Sequence, residues 1–180
     1  MKNRKWIPII LMIWPYLTAG AIFTLLATEN QSAGVSIVLL GLLTIVVYVV
    51  NIVNACTYKR EDAGRQAFWN MLVKLVHIPF YLVMFVLGLM FLAASALPAL
   101  IFVSPFIVIM CVIIDYCLMV TSSMYGINAL IRARTNGLVS TKFGVFHTVL
   151  HFLFFLDMIS AIIIFIKIRK STVKMCYNEE

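Results

Sequence analysis

The chain has 180 residues, 63% of them hydrophobic and 12% charged, against about one half and one quarter in a soluble domain. A globule of this size leaves a large share of its surface in water, so the composition excludes a soluble fold and the apolar surplus is expected to face lipid. Fourteen Lys and Arg against seven Asp and Glu give a formal charge of +7. The basic residues flank apolar runs, the signature of membrane topology rather than of a nucleic-acid surface.

Met1-Lys2-Asn3-Arg4-Lys5 precedes the first apolar run, residues 6–27. A basic start followed by apolar residues also describes a signal peptide, but this run is too long and Leu26-Ala27 is a poor cleavage site. It is expected to be a retained span, kinked at Pro15. A polar linker without Lys or Arg leads to the second run, 35–58, rich in Val, Ile and Leu and carrying Asn51 and Asn54 near its end. The polar stretch from Lys59 to Gln66 follows, then Phe68 and Trp69, suited to the headgroup level. The third run, 71–97, opens with Lys74 and His77 and holds Pro79, which is tolerable early in a helix.

Pro98 and Pro105 bracket an uncharged turn, and the fourth run, 99–125, contains Asp115. Arg132, Arg134 and Lys142 lie in the next polar stretch, where Asn136-Gly137 is a turn signal. The fifth run, 143–166, holds His147, His151 and Asp157, and the tail adds Lys167, Arg169, Lys170 and Lys174. Runs of this length match helices that cross a bilayer, since only a helix or a closed barrel satisfies its backbone in lipid. The pattern predicts an all-α, polytopic transmembrane helix bundle with about five spanning helices, one integral membrane domain over 1–180.

With the N-terminus in the cytoplasm and five crossings, ten basic residues lie inside and four, all in the tail, outside. If the fifth run enters and returns, the tally becomes fourteen to none. The fifth run has no Gly or Pro after Gly144 to break it, so five crossings are expected, with the side of the tail left open. The four cysteines form no C-x-x-C pair, and neither a disulfide framework nor a zinc site is expected.

Ionisable groups at lipid depth cost roughly 2.5–3.5 kcal/mol each on insertion scales, so each is a candidate site. Lys74 is expected to snorkel to the interface. Asp157, near the middle of its run, must be neutral, paired or facing water. Its partners are expected to be Asn51, Asn54, a Tyr or a Ser on another helix; the alternative is a proton or cation pathway with His151 or Asp115. His147 and His151 share a helix face at i, i+4 but lack the Glu of a zinc-protease motif. On a continuous helix Asp157 would sit about 240° away from His151. His77, His147 and His151 with Asp115 could otherwise hold a metal or haem. No metal, cofactor or catalytic residue is expected.

Phe68-Trp69-Asn70-Met71-Leu72-Val73-Lys74-Leu75, Met124-Tyr125-Gly126-Ile127 and Leu156-Asp157-Met158-Ile159-Ser160-Ala161, with the Ile-Lys-Ile-Arg-Lys ending, resemble an uncharacterised family of small multi-spanning membrane proteins from Gram-positive bacteria. The resemblance implies a bacterial plasma membrane and brings no activity. With no catalytic constellation and no soluble domain, the chain is expected to be a non-enzymatic accessory or assembly component. It would work within a homo-oligomer or larger membrane complex, with the lipid bilayer as its surroundings and no nucleic-acid partner. The alternative is a small proton- or cation-linked transporter subunit using Asp157.

Overall fold

The computed structural model describes residues 6–28, 32–57 and 63–178. Six helices follow in order: α1 (Trp6–Ala27), α2 (Ala33–Cys56), α3 (Ala63–Ala94), α4 (Val103–Thr135), α5 (Thr141–Leu150) and α6 (Phe154–Asn178). The first four are long and apolar enough to cross a membrane. Large apolar side chains point outward along them, with Phe23 74% and Phe106 65% exposed, as lipid-facing residues must be.

Hydropathy locates the lipid but not the helix ends. α3 begins eight residues before the third apolar run and α4 continues ten residues past the fourth. These extensions pack on each other through small residues: Ala63 and Ala67 of α3 join Ala129 and Ala133 of α4, with Ile164 and Ile168 of α6 alongside. α4 ends in a Schellman turn. Gly137 has φ 71°, Leu138 N–H bonds the Ala133 carbonyl at 2.8 Å and Gly137 N–H bonds that of Arg134 at 3.0 Å. A residue without Cβ is favoured at such a left-handed position.

The helix ends are closed by neighbours. Thr57 bonds the last-turn carbonyls of Val53 and Asn54. Gln66 Nε2 donates to the Ala55 carbonyl at 2.6 Å, and Arg132 Nη2 to that of Cys56 at 3.0 Å. All four carbonyls that α2 leaves open at its C-terminus thereby have donors.

The expected fifth crossing over 143–166 is not seen as one continuous helix: the chain turns at residues 151–153, between α5 and α6. No Gly or Pro is needed, because the turn keeps its backbone bonded through i to i−3 contacts, Phe152 N to Val149 O and Leu153 N to Leu150 O, both 3.1 Å. The two helices fold back, since His147 Nδ1 lies 2.8 Å from Ser160 Oγ; on a continuous helix those residues would be roughly 20 Å apart. α5 is only about 15 Å long, and α6 runs roughly 20 Å before its basic residues begin at Lys167, each short of the ~30 Å hydrocarbon core.

The buried residues gather at one end of the bundle. Leu11 and Met12 of α1, Ala55 of α2, Val73 and Phe80 of α3, and Leu118 and Tyr125 of α4 form the central cluster. The opposite end, around the 95–102 connection, is largely exposed.

Candidate functional site

Pro15 explains part of the polar core. Pro15 lies inside α1 and has no N–H to give the carbonyl four residues earlier, that of Leu11. His77 Nε2, from α3, sits 3.0 Å from that carbonyl; since a carbonyl only accepts, the ring carries its proton on Nε2. His77 therefore serves as the hydrogen-bond donor that Pro15 removes. Pro79 falls within α3 rather than in its first turn. One turn before it, Tyr16 donates to the Val76 carbonyl at 2.5 Å. Neighbouring helices commonly resupply the carbonyls that prolines free in membrane bundles, as His77 does for Leu11; the carbonyl that Pro79 itself frees is that of Leu75, not Val76.

A second node joins α2 to α4. Asn54 Nδ2 donates to Tyr125 Oη at 2.9 Å, and Tyr125 donates to Asn51 Oδ1 at 3.0 Å. Asn51 and Asn54, two of the expected alternatives as partners of Asp157, hold Tyr125 instead.

The third node is the candidate site. Lys74 of α3, Ser123 of α4, His151 at the tip of the α5–α6 turn and Asp157 in the first turn of α6 converge, each no more than 4% exposed. Lys74 Nζ is ion-paired with Asp157 Oδ1, lies 3.2 Å from His151 Nδ1 and donates to Ser123 Oγ at 2.9 Å. His151 Nδ1 is 2.5 Å from the same carboxylate oxygen, and Ser123 Oγ is 3.3 Å from it. Asp157 also occupies the N-terminal turn of α6, where free N–H groups favour a negative charge.

Two expectations fail here. Lys74 does not snorkel; it is 1% exposed, because a carboxylate and a hydroxyl replace the water it would seek. Asp157 and His151 meet, because the break at 151–153 removes the 240° separation of a continuous helix. The remaining candidates lie elsewhere. His147 bonds Ser160 between α5 and α6, His77 is turned to α1, and Asp115 is half-buried on α4. Among the described residues no three His, Cys, Asp or Glu side chains lie close enough together to hold a metal ion.

Gly126 shapes the far side of the cluster. A Cβ built there would meet His151 Nε2 and come within 2.6 Å of Asn70 Nδ2, so the absence of a side chain lets the imidazole and the amide close onto α4. His151 Nε2 and both polar atoms of Asn70 have no hydrogen-bond partner. With its proton on Nδ1 facing Asp157, neutral His151 presents a free lone pair at Nε2. Ser123 lies on the Asp157 side of the ring, 3.3 Å from the carboxylate. This is not the order of a nucleophilic triad, in which the imidazole separates the hydroxyl from the carboxylate.

Ser123, Asn70 and Gly126 are members of this node that sequence reasoning missed. The signal available was spacing: Lys74 falls one helical turn after Asn70, and Ser123 three residues before Gly126, so each pair shares a face. The chain belongs to the family of unknown function DUF6652, matching it over residues 7–170. That span contains every residue of the three polar nodes. No curated protein and no solved structure matches the chain.

Proposed function

We propose that this DUF6652 protein is a non-enzymatic accessory or assembly component of a bacterial plasma membrane, with four crossings and both termini in the cytoplasm. In this reading α5 and α6 form a re-entrant hairpin that dips in from the cytoplasmic side. The Lys74–Asp157 pair is the latch holding its tip against α3 and α4. The observation that carries it is the charge-compensated closure of that node: cation and carboxylate neutralise each other, and Ser123 faces the wrong end of His151 for catalysis.

Charge placement supports the topology. With four crossings, all fourteen Lys and Arg fall on the N-terminal side, and none in the two connections around residues 28–34 and 95–102, as the positive-inside rule favours. A variant keeping Cys176 as its one thiol tests this with a membrane-impermeant maleimide. Protection in intact cells with labelling after lysis is expected; labelling of intact cells would require a fifth crossing and end the hairpin reading. The accessory role is tested by extraction in mild detergent, where a discrete complex larger than the monomer is expected. A strictly monomeric protein without partners would refute it.

A second reading has its own support. Lys74, Ser123 and His151 all bear exchangeable protons around one oxygen of Asp157, and His151 opens its other nitrogen toward Asn70. That is the chemistry of a proton- or cation-linked transport subunit. In proteoliposomes loaded with a pH-sensitive dye, such a subunit would dissipate an imposed proton gradient and its Asp157→Asn variant would not. Equal, background-level rates for both would remove the transport reading.

A further inference from the structure

At the exposed end of the bundle, lined by none of the residues of the Lys74 node, α3 and α4 separate to leave a groove of about 320 Å³. Met84, Gly88 and Leu89 of α3 and Val108, Cys111 and Val112 of α4 contribute to its apolar wall, and Asp115 is its one ionisable carboxylate. This volume is at the lower end of those that hold small organic ligands, and such sites pair apolar walls with few polar groups. Asp115 lies about 18 Å along α4 from Val103, and Gly88 about 9 Å from the end of α3. The groove is therefore at hydrocarbon depth rather than in the headgroups.

Asp115 differs from Asp157 in having no ion pair among the described residues; the polar groups it acts on from α2 and α3 are the neutral hydroxyls of Tyr48 and Tyr81. Its Oδ1 is covered and lacks a hydrogen-bond partner, and no Lys, Arg or His lines the groove. A carboxylate so placed either takes up a proton or finds a cation, and a cation able to reach it must carry its own apolar surface. Gly88 supplies the room: a Cβ there would meet nothing within 4 Å. Phe85 and Tyr116 add aromatic rings to the lining, which attract ammonium groups. We propose that this groove is a binding site for a lipophilic primary or secondary ammonium ion, with its charge on Asp115 and its apolar body between α3 and α4.

The test uses the full chain in phosphatidylcholine nanodiscs, with tritiated 4-phenylbutylamine as probe and its neutral analogue 4-phenylbutanol as competitor. Saturable uptake above that of empty discs is expected, with the alcohol competing at least tenfold less well than unlabelled amine. Asp115→Asn removes the charge at constant shape. Gly88→Leu fills the groove and also improves helix propensity, so a weakened response is not a folding defect. Each is expected to weaken uptake at least tenfold. Equal competition by the alcohol, or wild-type affinity in Asp115→Asn, would mean that a neutral chain such as a lipid acyl group fills the groove, and would overturn the proposal. Wild-type affinity in Gly88→Leu would place the amine elsewhere and overturn it too. A crosslink between the Cys111 residues of two copies, with no amine uptake, would assign the groove to a second copy and equally refute it.

Discussion

Replacing His77 by Leu removes the donor that serves the Leu11 carbonyl, whose own helical partner is missing because residue 15 is Pro. Both Leu11 and His77 are fully buried, so water does not take over. A buried acceptor left unsatisfied costs about 1–3 kcal/mol in soluble proteins. In membrane bundles hydrogen-bond couplings average nearer 0.6 and reach about 1.7 kcal/mol. The expected loss is therefore about 1–2 kcal/mol. Pro15→Ala restores the backbone N–H that should bond Leu11, and so makes His77 dispensable. The expected outcome is a coupling, not merely a loss: His77→Leu is harmful while Pro15 is present and close to neutral in the Pro15→Ala background. Reversible unfolding in mixed micelles of mild detergent and dodecyl sulfate, followed by helicity, measures all four corners of the cycle. A coupling of at least about 1 kcal/mol is expected, on the scale usual for residues acting through one contact. If His77→Leu costs the same in both backgrounds, within about 0.5 kcal/mol, His77 is not the donor replacing Pro15 and the account of α1 fails.

Other substitutions test the remaining nodes by the same unfolding measurement. Gly126→Ala is expected to destabilise by about 1–3 kcal/mol through overpacking against His151 and Asn70, and Asn70→Ala should relieve part of that; an unaffected Gly126→Ala protein would show that the close approach is not required. Lys74→Met alone should cost about 3–5 kcal/mol by leaving the buried Asp157 carboxylate without its lysine cation, whereas Lys74→Met with Asp157→Leu should recover most of it. Losses that simply add would deny the latch. Tyr125→Phe leaves Asn51 and Asn54 without their shared hydroxyl and is expected to cost about 1–2 kcal/mol, with no change in stability counting against the α2–α4 node.

The helical class and the four long apolar elements are legible in the sequence because lipid imposes them: a run of some twenty apolar residues has few other fates. The break at 151–153 is not legible, since it depends on a tertiary reward. Its residues carry no turn chemistry, and what stabilises the turn is the meeting of His151 and Asp157 on Lys74, a residue 77 positions before His151 in the chain. The burial of Lys74 escapes a sequence reading for the same reason. A lysine near a helix end snorkels by default, and only the arrival of a carboxylate from α6 makes burial the better state. Asn51 and Asn54 stand out as polar packing residues, but sequence alone does not choose between Asp157 and Tyr125 as their partner. Asp115 stands out as a candidate too, and its separation from the other ionisable groups becomes visible only with the helices in place.

The three polar nodes lie at the same end of the bundle, and that asymmetry has a physical logic. In lipid, apolar side chains gain little by leaving the bilayer for one another, so packing alone drives helices together weakly. Hydrogen bonds and ion pairs are worth forming there because the alternative is a polar group in hydrocarbon. The Pro15–His77, Tyr125–Asn51–Asn54 and Lys74–Asp157 nodes thus pin α1 to α3, α2 to α4, and the α5–α6 hairpin to both α3 and α4. The opposite end has no comparable node among the described residues, and α3 and α4 part there around Asp115. A bundle clamped at one end and open at the other can alter the open end without breaking its polar contacts. Ligand or partner binding would accordingly act on the Asp115 end first, while loss of any clamp would be felt through the whole fold.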